Sequence, residues 1–212
     1  MKPSTELKNV LMTYKFGMDV LKTKINIMVE EARIKGKNNP IEHIKTRLKS
    51  VDSIKEKLKR KNLEPTIDNI KEKILDVIGV RVVCAFISDI YEIYQLFLNR
   101  SDLKVVEVKD YIKHPKPTGY QSLHLIVKVP VQLANQEIYV PAEIQLRTLA
   151  MDFWASLEHK IFYKYNRDIP DYLKHELKQA ADTVTLLDEK MKSIRDEVIA
   201  IDSVRDSLLL PS

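Results

Sequence analysis

Cysteine and glycine are scarce in this sequence, with one and four residues among 212. A lone cysteine, Cys84, excludes an internal disulfide and a cysteine-based zinc site, and its neighbours Val82, Val83, Ala85 and Phe86 suit plain burial. With four glycines there is no GxxxxGK[ST] loop and no GxGxxG, so no glycine-rich loop can cradle phosphate. HExxH and GxSxG are absent as well, which removes the common zinc-protease and serine-hydrolase signatures. No run of about eighteen uncharged apolar residues is present to span a bilayer. The opening MKPSTELKNV lacks the charged-then-apolar pattern of a signal peptide. A soluble, cytoplasmic protein without a membrane partner is therefore expected.

What is present suffices for one core, because 44% of the residues are hydrophobic and the length matches one domain. The 35 basic and 30 acidic side chains leave a formal charge of +5, which favours polyanionic partners. Nucleic acid, phospholipid and nucleoside polyphosphate all meet that description. RNA is possible on this ground but nothing in the pattern specifies it.

Apolar residues Leu7, Leu11, Tyr14, Met18, Leu21, Ile25 and Met28 recur at spacings of four and three, the seam of a long helix over 5–35 that ends at Gly36. Pro40 suits the first turn of a second helix, with Ile44, Leu48, Val51 and Leu58 inward through about Lys61. A short helical piece follows Thr66. The run VIGVRVVCAF over 77–86 predicts a central strand covered on both sides, and a helix near 88–99 leads to strands near 103–112, 122–131 and 137–147. A helix near 148–164 comes next. After Pro170 a second seam runs from Leu173 through Leu187, Met191 and Ile194 to Ile201, with a loose tail beyond Arg205. These elements define an α+β class, a mixed sheet flanked by helices. The organisation is a single domain over 1–212, with a core over 40–165 between the two seam helices, the second over 170–205. Such seams can pack on the core or on another copy of the chain.

On the expected second helix, Lys49, Ser53, Lys57 and Arg60 share one stripe, and three cations with a hydroxyl can hold a triphosphate. The same stripe is also what a solvated helix face looks like. Arg81, inside an apolar strand, needs either an ion partner or a wet cleft. In EIQLR, period-two alternation sends Glu143, Gln145 and Arg147 to one face. Asp76 stands just before the central strand, so that it and Glu143 can meet beside the cations. Oxygen ligands with phosphates suit Mg²⁺ rather than zinc. Asp76 and Arg81 differ by an odd number, so either Asp76 precedes the strand or Gly79 marks a bulge. In KDYIKHPKPTGYQSLH, Lys109, Lys113 and Lys116 flank a glycine turn. There Tyr120 can stack on a base, and Ser122 and His124 share a strand face.

Together TRLKSVDSIKEKLKRK, ILDVIGVRVV, GYQSLH, EIQLRTLAMDFWASLEHK and YKY resemble the small alarmone synthetases, single-domain relatives of the RelA/SpoT enzymes. The resemblance covers about 40–200 and is most similar to the RelP-type branch, with the RelQ-type next. It implies a mixed five-stranded sheet, Mg²⁺, ATP as pyrophosphate donor, GTP or GDP as acceptor, pppGpp or ppGpp and AMP as products, and a homotetramer. It also implies that Arg47 and Arg81 flank the donor adenine while Lys49, Ser53, Lys57 and Arg60 bind its phosphates. Asp76 and Glu143 would hold the metal, Tyr120 would stack on guanine, and Lys109, Lys116, His124 and Gln145 would contact acceptor and phosphate. Glu143, Asp76 and Arg81 form the implied catalytic group. Asp152 departs from the Asn or His found there in many relatives, and no role is assigned to it. No His-Asp dinucleotide occurs, so a degrading activity is not expected. A non-catalytic nucleotide- or RNA-binding regulator is the alternative.

Overall fold

The structure is a computed structural model describing residues 5–35, 39–164 and 169–209, with the side chains of 162–164 and 203–209 outside the description. Gly36, expected to end the first helix, and the last tyrosine of YKY lie outside the described residues. Among those described, six helices and five strands follow the order α1 (Thr5–Ile34), β1 (Ile41–Leu48), α2 (Val51–Arg60), α3 (Ile67–Lys73), β2 (Ile78–Cys84), α4 (Ile87–Leu98), β3 (Lys104–Asp110), β4 (Leu123–Gln132), β5 (Glu137–Thr148), α5 (Leu149–Lys164) and α6 (Asp171–Leu209).

The strands form one mixed sheet in the order β1-β2-β5-β4-β3. Only β2 and β5 run parallel; the other neighbours are antiparallel. Alternation gives the sheet two unlike faces. On the back, Val80, Val82, Leu123, Leu125, Val127, Ala142, Ile144 and Leu146 are fully buried or nearly so. They join Tyr14, Leu21, Ile25 and Met28 of α1 and Ile90, Ile93 and Phe97 of α4 in one continuous core. At about 1.5–3 kcal/mol per fully buried large aliphatic or aromatic side chain, this face carries most of the stability. The front presents Gly79, Arg81, Glu143 and Gln145, all only partly covered. The central strand is thus sealed on one side and open to a cleft on the other at Gly79 and Arg81, rather than covered on both.

Two further expectations fail. Residues 41–48 form an antiparallel strand on β2, not the first half of a helix. The positions Ile41, Ile44 and Leu48 fit a helical spacing, yet the backbone gains its hydrogen bonds from β2, and the helix begins only after Ser50. Ser50 caps it by accepting from the Ser53 amide at 3.2 Å. The final helix also continues past Arg205 to Leu209 instead of ending in a loose tail.

Candidate active site

One end of the front cleft is built where β1 hands over to α2. Arg47 is near the end of β1, and Lys49 and Ser50 form the connection. From the helix, Ser53, Glu56, Lys59 and Arg60 line a cavity of about 720 Å³ together with these residues and His159 of α5. Lys57, on the same helical stripe as Ser53 and Arg60, turns toward Asp76. Gly79 lies opposite Arg47 in the β1–β2 register. A Cβ there would sit 3.3 Å from Arg47 Cγ and 3.4 Å from its Nε, so the missing side chain lets the guanidinium lie across the strand. Gly79 therefore makes room rather than a bulge, because β2 stays in register with β5 throughout. Asp76 precedes β2, which resolves its odd spacing from Arg81.

Asp76 Oδ2 accepts from Lys49 Nζ at 2.6 Å and pairs with Lys57 Nζ at 2.7 Å. Burial pushes this carboxyl upward, but the two ammonium groups prevail and hold it below the usual carboxylate range. Its other oxygen, Oδ1, is buried without any partner. Such an orphaned acceptor calls for a cation. Glu143 is handled alike: burial raises it, while hydrogen bonds from His124 and Gln145 bring it below its ordinary value against repulsion from Asp76. The two carboxylates therefore share one electrostatic site. Among the described residues no group of three or more His, Cys, Asp or Glu side chains could hold a metal alone. Two carboxylates completed by phosphate oxygens suit Mg²⁺, which binds through one or two acids plus substrate.

The other end of the cleft is a hydrogen-bonded network around Tyr120. Gln145 Nε2 donates to Glu143 at 2.8 Å, and Arg147 donates to Gln145 Oε1 at 2.9 Å and to the Tyr120 hydroxyl at 2.7 Å. Ser122 also donates to that hydroxyl, at 2.9 Å, while His124 Nε2 lies 2.8 Å from it. With two donors already aimed at the Tyr120 oxygen, its proton goes to His124 Nε2, and Nδ1–H faces Glu143 at 3.2 Å. Lys116 Nζ stands 4.7 Å from the centre of the Tyr120 ring. The turn that presents Tyr120 needs Gly119, whose φ is +87° and whose added Cβ would meet Ala181 of α6 at 2.5 Å. Tyr120 rests on a second small core of Trp154, Ala155 and Ala181. Lys109 stands beside His124 in the β3–β4 register and pairs with Glu107 at 2.9 Å.

The thirteen residues to which the family resemblance gives site roles all lie on this front surface, although Lys109 reaches it from the edge strand with its ammonium held by Glu107. Spacing gave no sign of three others. Asp152 pairs with both Arg81 and Arg147, burial raises the carboxyl pKa of Glu158 near Lys116 and Arg147, and His159 lines the same cavity as Arg47 and Lys49. All three arrive on α5, whose hydrophobic pattern does not tell which sheet face it will cover.

A family profile described as "Region found in RelA / SpoT proteins" matches residues 46–168. The chain belongs to the RelA/SpoT family, as one of its small GTP pyrophosphokinases. It is 54% identical to the GTP pyrophosphokinase YwaC of Bacillus subtilis over 191 residues, covering 90% of this chain and 91% of that one. The small alarmone synthetase 1 of Bacillus subtilis bound to its product pppGpp superposes with a TM-score of 0.84 at 37% identity, covering 92% of this chain and 99% of that chain. The same synthetase bound to AMPCPP gives 0.76 at 34% identity, covering 93% and 100%.

Proposed function

We propose that this protein transfers the β,γ-pyrophosphate of ATP to the 3′-hydroxyl of GTP or GDP, with Mg²⁺ held by Asp76 and Glu143. The observation that carries this reading is the partnerless, buried Oδ1 of Asp76 beside Glu143, set between a cationic cavity and the Tyr120 ring with its neighbouring lysine. The product named for one relative, pppGpp, and the ATP analogue named for the same protein match the two halves of the cleft in chemistry.

In the donor half, Arg47 and Arg81 offer planar cations to the adenine, while Lys49, Ser53, Lys57 and Arg60 take the phosphates. In the acceptor half, Tyr120 stacks on guanine and Lys109, Lys116, His124 and Gln145 fix the nucleotide. The 3′-oxygen attacks the β-phosphorus in line, a new O–P bond forms, the bond to the α-phosphate oxygen breaks and AMP leaves. The hydroxyl proton passes to Glu143, which is kept ionised by His124 and Gln145. Magnesium, when bound, screens the charge developing on the transferred group. The exposed apolar stripe of α6 supports assembly between copies of the chain, and a cytoplasmic homotetramer, as the family resemblance implies, is part of the same proposal.

Incubation with ATP labelled at the β-phosphate, GTP and Mg²⁺ tests the reaction. Label in pppGpp with matching AMP is the expected result. Glu143→Gln should lower the rate by about 100-fold or more without loss of fold, and Asp76→Ala should abolish the Mg²⁺ response. Tight nucleotide binding with no transfer to GTP, GDP or GMP would replace the enzyme with a regulator.

A further inference from the structure

Asp152 is nearly buried in the first turn of α5. One of its oxygens, Oδ1, lies 3.0 Å from Arg81 Nη1 and 3.1 Å from Arg147 Nη1. Those two arginines come from neighbouring parallel strands and serve different halves of the cleft. Arg81 pairs in register with Gln145, and Arg147 is one step further along the same face. Both Nε atoms are buried with no partner, so each guanidinium is steered through its terminal nitrogens alone. Arg147 has further anchors in Tyr120 and Gln145. For Arg81, the polar partner is Asp152.

We propose that Asp152 is a positioning residue that couples the donor and acceptor subsites, by sharing one carboxylate oxygen between Arg81 and Arg147. The inference rests on the functional reading above and deepens it. A shared oxygen must be divided. When an acceptor seated on Tyr120 draws Arg147 toward its own phosphates, the carboxylate passes wholly to Arg81, and a like charge leaves the neighbourhood of that guanidinium. Burial first, and then repulsion from Arg147, disfavour the charge of Arg81, while Asp152 supports it. Acceptor binding therefore firms the arginine plane that meets the donor base. The consequence is positive coupling between the two substrates, reciprocal by thermodynamic necessity.

The test is calorimetric titration of a non-hydrolysable ATP analogue with Mg²⁺, alone and with saturating GTP, and the reverse titration of GTP. In the unaltered protein each nucleotide should tighten the other by about 5-fold or more. Asp152→Asn keeps an acceptor oxygen but removes the charge, and should bring both ratios to within about 2-fold of one. A purely structural Asp152 would lower thermal stability or both separate affinities and leave the ratio intact. Arg147→Lys, whose single ammonium cannot reach Asp152, Gln145 and Tyr120 together, should also abolish the coupling and serves if Asp152→Asn does not fold. A ratio of one in the unaltered protein, or an unchanged ratio in either variant, overturns the role of Asp152 alone. Failure of the unaltered protein to bind either nucleotide overturns the functional reading with it.

Discussion

Helices α1 and α6 carry the same kind of apolar seam, yet one is interior and the other faces outward. In α1, Leu21 and Ile25 are fully buried against the back of the sheet. In α6, among the described side chains, the corresponding stripe is buried only where Ala181 meets Trp154 and the Tyr120 turn; beyond it Met191 is 49% exposed and Ile201 66%. A seam therefore states that a helix has an apolar side without stating what covers it. What differs is the neighbour. The sheet needs a lid on its back, and α1 provides it, whereas α6 extends beyond the α5 surface that its first half covers.

The contrast can be broken most sharply in α1. Leu21→Ala, at a fully buried position, should cost about 2–5 kcal/mol in urea unfolding. A smaller loss is expected where α6 does engage the fold. Gly119→Ala puts a Cβ against Ala181 at a positive φ and should cost about 1–3 kcal/mol, with a matching loss of acceptor affinity. Next comes Asp188, which accepts from the Thr148 hydroxyl and anchors α6 to the end of β5. Burial raises its pKa above the unfolded value, so its favourable contribution is full below the ordinary carboxylate pKa and declines as pH rises through the folded value. Asp188→Asn should accordingly stabilise by about 1 kcal/mol at neutral pH, and the gain should vanish near pH 4. The smallest change in stability belongs to Ile194→Ala, within about 0.5 kcal/mol when chains are dilute. Ile194→Asp should nevertheless lower the mass seen by light scattering, because a charge on that stripe opposes assembly.

Much of this architecture was legible in the chain. Continuous β-branched residues marked β2, strict alternation placed Glu143, Gln145 and Arg147 on one face of β5, and the seams located α1 and α6. The strand β1 was not legible, because Ile41, Ile44 and Leu48 satisfy a helical period as well as they line a strand. Pairing with β2, between positions as far apart in sequence as Ile41 and Cys84, decides between the two. The functional reach of α5 was hidden for a similar reason. Asp152, Glu158 and His159 acquire their surroundings only when the helix folds back over the open face, and nothing in their spacing announces that direction.

Lys49 and Lys57 illustrate how the free protein prepares its cleft. Both ammonium groups are already engaged by Asp76, so they are not bare charges surrounded by mobile counterions. Donor entry on the proposed scheme is an ion exchange within the protein: the lysines pass from carboxylate to phosphate as the metal takes over the acid. Few small ions are released to solution by such a swap. The affinity for ATP should then fall less steeply with added salt than the number of cations lining the cleft would indicate.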